Sequence, residues 1–98
     1  MNPNRLTTTL SSYGEYSNSN YGAHTMKVTL ESGDCYYYSY RTLIAFTYDG
    51  KLYISENCWG ATTGKHLNFI DRDKSKRFPR WEFEELFQLY HGKVEEVA

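Results

Sequence analysis

Asp49-Gly50 stands between two runs rich in β-formers, Leu43-Ile44-Ala45-Phe46-Thr47-Tyr48 and Lys51-Leu52-Tyr53-Ile54-Ser55. A two-residue connection of this composition favours a type I′ turn and closes an antiparallel hairpin. It also sets the register. Thr47 falls opposite Leu52, Phe46 opposite Tyr53 and Ala45 opposite Ile54, which makes Phe46 and Tyr53 a cross-strand aromatic pair. The 43–48 run is apolar on both faces, the pattern of a central strand.

Upstream, the period is also two. Met26, Val28 and Leu30 alternate with Lys27, Thr29 and Glu31, as in a half-buried strand. Ser32-Gly33-Asp34 reads as a turn. Residues 35–40 form a further strand, with Tyr36, Tyr38 and Tyr40 on one face and Cys35, Tyr37 and Ser39 on the other.

Alternation stops at Glu56. Thr62 or Thr63 suits the cap of a short helix in which Leu67 and Ile70 face the sheet. Asp71-Arg72-Asp73-Lys74-Ser75-Lys76-Arg77 then reads as a solvated connection. Pro79 suits the first turn of a second helix. Phe83, Leu86, Phe87 and Tyr90 follow at i, i+3, i+4 and i+7, an amphipathic stripe. Glu82, Glu84 and Glu85 near its start and His91 near its end suit the helix dipole, and Gly92 suits a left-handed cap. The expected fold is α+β. A four-stranded antiparallel meander is followed by a short helix and a C-terminal amphipathic helix, with the helices on one face.

The size of the chain, 98 residues, allows one core. Residues 1–20 are rich in Ser, Thr, Asn, Tyr and Gly, a composition that buries little apolar surface, so a flexible tail is expected there and a single domain over 21–98. Ten tyrosines against five phenylalanines suit half-buried strand positions and interfaces alike. The net charge of −1 creates no global field for nucleic acid or an anionic membrane. No run approaches the ~18 apolar residues of a membrane-spanning helix, and the first residues lack the basic and apolar blocks expected of a secretory signal. Cys35 and Cys58 are then expected as free thiols in a reducing cytoplasm.

Most reactive side chains fall in Glu56-Asn57-Cys58-Trp59-Gly60-Ala61-Thr62-Thr63-Gly64-Lys65-His66-Leu67-Asn68. Its glycines and lysine do not make a nucleotide-binding P-loop. Only three residues separate Gly60 from Gly64, and His66 stands where a magnesium-binding hydroxyl is needed. A turn at a helix start can still present N–H groups and Lys65 to an anion. His24 and His66 are candidate bases or ligands if they meet in space, but the chain lacks the short paired spacing of zinc sites, and Asp71 and Asp73 flank Arg72. Cys58 is a candidate nucleophile only with a positive neighbour such as Lys65 or His66. Arg72, Lys74, Lys76, Arg77 and Arg80 give residues 72–80 a local charge of +4 with Asp73 counted, a pattern that can meet phosphate. Tyrosines exposed on a sheet would add stacking platforms.

Three blocks occur in order: Asn20-Tyr21-Gly22-Ala23-His24-Thr25; Tyr38-Ser39-Tyr40-Arg41-Thr42-Leu43-Ile44-Ala45-Phe46; and Glu56-Asn57 with Trp59-Gly60 and Thr62-Thr63-Gly64-Lys65-His66-Leu67-Asn68. Together they resemble a family of small uncharacterised proteins of bacteriophages, archaeal viruses and prophages. The resemblance covers about residues 20–71 and implies no activity, cofactor or catalytic residue. It leaves outside the aromatic C-terminal helix with Trp81, Phe83 and Phe87. A viral origin implies, by genomic analogy, an accessory role in the host cytoplasm, such as binding and disabling a host protein, a CRISPR effector among them.

The expectation is therefore a non-enzymatic binding protein without metal or cofactor. Its aromatic anchors would be Tyr36, Tyr38, Tyr40 and Trp59. The alternative is a nucleic-acid or nucleotide binder using the turn over 62–66, with Lys65, His66 and Asn68, and the basic segment Arg72, Lys74, Lys76, Arg77 and Arg80. An enzyme built on His24, Cys58 and His66 is a third class.

Overall fold

The computed structural model describes residues 9–13 and 25–92. The rest of the expected tail, His24 and the Asn20-to-Ala23 block lie outside the described residues. Among the described residues, six strands form one sheet in chain order: β1 (Thr9–Ser12), β2 (Thr25–Thr29), β3 (Cys35–Ser39), β4 (Thr42–Tyr48), β5 (Lys51–Ser55) and β6 (Arg77–Phe78). Helix α1 (Ala61–Ile70) lies between β5 and β6, and α2 (Arg80–His91) closes the described chain. The α+β class stands, with two more strands than the sequence suggests.

Asp49-Gly50 turns as its composition requires. Asp49 takes φ 54° and Gly50 φ 83°. Ala45 pairs with Ile54, Phe46 with Tyr53 and Thr47 with Leu52. The Phe46 and Tyr53 rings stack at 5.0 Å. Gly50→Ala is expected to cost about 1–2 kcal/mol, because a Cβ disfavours left-handed backbone. A lower urea midpoint at unchanged slope would show it.

The two strands missed are the outer ones. Thr9–Ser12 pairs antiparallel with β2, so this part of the expected tail is an edge strand. Its Leu10 is exposed, and the segment has no buried apolar face to betray it. At the other edge β6 runs parallel to β5, with Ile54 opposite Arg77 and Ser55 opposite Phe78. The expected solvated connection over 71–77 therefore ends one residue early, with Arg77 already in the strand.

The two helices cover opposite faces of the sheet, not one. The row Tyr36–Phe46–Tyr53 packs with Phe83, Leu86, Phe87 and Tyr90 of α2. The adjacent row Tyr37–Ala45–Ile54 packs with Leu67 and Ile70 of α1. Neighbouring residues on a strand point to opposite faces, so the clusters lie on the two sides. A register shift between β3 and β4, where Tyr37 pairs with Ala45 but Tyr38 with Leu43, leaves Ile44 as an extra residue. Ile44 and Ala45 then both enter the α1-side cluster.

The helix ends differ in detail from expectation. Gly60, not a threonine, precedes α1, with no side-chain cap. Thr62 and Thr63 lie inside its first turn. Gly92 ends α2 in right-handed backbone (φ −67°), not left-handed. At the start of α2, Pro79 brings no side-chain cap, and Glu56 Oε2 instead accepts the Arg80 N–H at 3.0 Å.

Candidate functional site

The stretch from Glu56 to Asn68 is built by its own polar groups. Asn57 Oδ1 accepts the N–H groups of Trp59 (3.0 Å) and Gly60 (3.3 Å), and Asn57 Nδ2 donates to the Gly60 carbonyl at 3.0 Å. This local side-chain bonding folds the turn that starts α1. A Cβ on Gly64 would lie 2.9 Å from Asn57 Nδ2, so the glycine lets the helix sit against the turn.

From there α1 divides into two faces. Thr63, His66 and Leu67 are buried at i, i+3 and i+4. His66 is 1% exposed, and its Nδ1 lies 2.7 Å from Ser39 Oγ. Ser39 Oγ is in turn 3.1 Å from Thr63 Oγ1. The rings of Tyr13 and Tyr40 lie 6.4 and 6.0 Å from the imidazole. The histidine therefore ties α1 to β3 and is withdrawn from solvent. Lys65, Asn68 and Phe69 occupy the outer face, with Arg72 continuing it.

The basic segment is partly neutralised and partly displayed. Lys76 pairs with Asp71 at 3.3 Å. Arg77 Nη2 donates to Asn68 Oδ1 (2.9 Å) and to the Asp71 carbonyl (3.1 Å). Its Nε is buried without an acceptor among the described residues. The Asp71 carboxyl is held below its usual range, mainly by the backbone N–H of Asp73 and then by Lys76. That of Asp73 is lowered by the Ser75 hydroxyl and N–H. These acids stay charged and fold the loop. Lys65, Arg72 and Lys74 are exposed.

Arg80 forms a second feature. Its Nη1 donates to the Leu43 carbonyl at 2.8 Å and its Nε to Glu84 at 2.9 Å. The guanidinium lies 5.0 Å from the Trp59 ring and 4.9 Å from that of Phe83. Trp59 is 41% exposed, and Trp81, next to Arg80 in the chain, is 64% exposed. Cys58 is exposed and Cys35 buried.

The expected tyrosine platform is not assembled. The Tyr36 ring packs at 5.3 Å from Phe87 and 4.9 Å from His91, under α2. Tyr38 is half-buried, and its carbonyl accepts the Tyr13 hydroxyl at 2.8 Å. Tyr40 leaves the strand for a turn with φ 59°. Strand alternation cannot align three side chains when the third is past the strand end. Phe69 and Trp81 were missed as surface aromatics. The available signal was that each falls off the apolar stripe of its helix.

A family of unknown function, DUF8033, matches the chain over residues 8–85. The chain belongs to that family. The DUF8033 match takes in the whole sheet, α1 and the first half of α2, and so includes both surfaces described above. No curated protein and no solved structure matches the chain. Among the described residues, no group of three or more His, Cys, Asp or Glu side chains is placed to hold a metal. No described helix is long and apolar enough to cross a membrane.

Proposed function

We propose that this DUF8033 protein acts by non-catalytic binding, as a small phage-type accessory protein that docks on a host protein in the host cytoplasm. The observation that supports this is the exposed Trp59 ring against a fixed Arg80, with a second exposed tryptophan, Trp81, next to that arginine in the chain. Trp and Arg dominate binding hot spots. Arg80 is already held by Leu43 and Glu84, so little side-chain freedom is left to lose on association. Burial of His66 and its engagement by Ser39 speak for a structural rather than a catalytic histidine. The viral resemblance of the sequence blocks points to host defence proteins, CRISPR effectors among them, as the partner class.

A tagged pull-down from host lysate, with and without nuclease, tests the reading. A stoichiometric host protein that survives nuclease is expected. Trp59→Ala and Trp81→Ala are each expected to weaken its capture by about 30-fold, the effect of a central hot spot. Both side chains are largely outside the core, so circular dichroism should show the variants folded. Undiminished capture by the double variant, or no protein retained, would overturn the proposal.

A further inference from the structure

Three shallow depressions adjoin one another across the exposed side of α1, from the sheet on one flank to the 74–77 segment on the other. The first, about 300 Å³, is lined by Ser11, Tyr13, Lys27, Tyr37, Phe69 and Ile70. The second, about 330 Å³, is lined by Lys65, Asn68, Phe69 and Arg72. The third, about 390 Å³, is lined by Glu56, Asn57, Gly64, Asn68, Lys74 and Arg77. Phe69 belongs to the first two and Asn68 to the last two, so the three form one continuous path.

One exposed ring, Phe69, stands among cations on this path. Lys27 lies 5.5 Å over the Tyr37 ring in the first depression. Phe69, 51% exposed, separates Lys27 from Lys65 and Arg72. Lys74 and Arg77 close the far end. Five cations line the path against one carboxylate, Glu56, which is already bonded to the Arg80 N–H. The neighbouring acids Asp71 and Asp73 are taken up by Lys76 and by their own loop. The overall charge of −1 conceals this arrangement, because the acids of α2 lie on the other helix.

We propose that this path binds a short stretch of single-stranded nucleic acid. Lys65, Arg72 and Lys74 contact successive phosphates, and Phe69 stacks on an unpaired base. Stacking platforms interleaved with cations are what such strands need, since their bases present open ring faces and their backbone a repeating charge. A duplex hides its ring faces and would leave Phe69 unused. A row of carboxylates on a protein would meet the cations but not the ring. The path spans one helix and its two flanks, about 10 Å of helix width plus the adjoining depressions, so it holds a few nucleotides. It uses none of Trp59, Arg80 and Trp81 and stands independently of the docking reading.

Fluorescence anisotropy with a short labelled oligothymidylate and the full chain tests this across a salt series. Micromolar-range binding that weakens steeply with salt is expected. Phe69→Ala should weaken it about 5- to 150-fold at fixed salt, the range for loss of one stacked base. The Lys65→Ala, Arg72→Ala double variant should lower the salt slope by about 1.4, for two single-strand phosphate contacts. Trp59→Ala should change neither. A duplex of equal length should bind more weakly, and polyglutamate should compete poorly. Absence of binding at low salt, equal affinity for duplex, an unaffected Phe69→Ala variant, or equal competition by polyglutamate would each overturn the proposal.

Discussion

Phe46→Ala is expected to lower the unfolding free energy by about 3–5 kcal/mol, the largest effect of any single truncation proposed for this chain. Phe46 is fully buried at the centre of β4. Its ring stacks on Tyr53 at 5.0 Å, and it meets Phe83, Phe87 and His91 of α2 at 5.2–5.4 Å. One side chain thus joins two strands to the helix that covers them. Truncation removes its own transfer free energy and leaves a cavity that four rings cannot close without leaving their rotamers. A domain this size has only about 5–15 kcal/mol in total. Urea unfolding is the measurement, and a loss below about 1 kcal/mol would show that α2 is not anchored through this residue.

The second large effect concerns His66. His66→Ala is expected to cost about 2–4 kcal/mol, combining lost packing with a weakened polar site. The imidazole fills space between the Tyr13 and Tyr40 rings and bonds Ser39, which the variant would leave buried with Thr63 as its remaining hydroxyl neighbour. Ser39→Ala should cost less, about 1–3 kcal/mol, because it takes a partner from the imidazole and from the Thr63 hydroxyl but removes far less packed volume. The double variant should cost less than the sum of the two, since both remove the same bond. Wild-type stability in His66→Ala would contradict the anchoring role and return the residue to the list of chemical candidates. Partner capture retained by a folded His66→Ala protein would separate structure from function at this position.

Legibility followed the locality of the signals. The Asp49-Gly50 hairpin was readable to the exact register because two residues determine the turn and the turn determines the pairing. The α2 stripe was readable because four apolar residues recur at helical spacing. Leu67 and Ile70 were placed correctly on the sheet side of α1. Strand β6 was hidden because parallel pairing of two residues depends on where a distant strand lies, not on Arg77 and Phe78. The apolar pattern of β4 on both faces was the sign that two layers cover the sheet, yet amphipathic stripes alone do not say which face a helix takes. The same ambiguity misled the tyrosines: Tyr36 looked like surface until α2 was laid over it. Lys65, Asn68, Arg72, Lys74 and Arg77 stand out in the sequence by residue type, and α1 with the 71–77 segment after it places them on adjoining depressions. Phe69 and Asn57 were passed over, one because it lies off the stripe and the other because its work is done within its own turn.

The strand order of the sheet has a kinetic meaning. Every strand pairs with its neighbours in sequence, from β1 through to β5, and β6 joins β5 after one helix. Contacts between near neighbours close short loops and lose little chain entropy, so they form quickly. Growth from the ribosome would present the hairpins in the order in which they pair, and no early strand waits for a late one. Among the described elements α2 comes last, and it covers the face that carries Phe46. Until it does, that face is open apolar surface, and the final helix is the step that converts a folded sheet into a protected one.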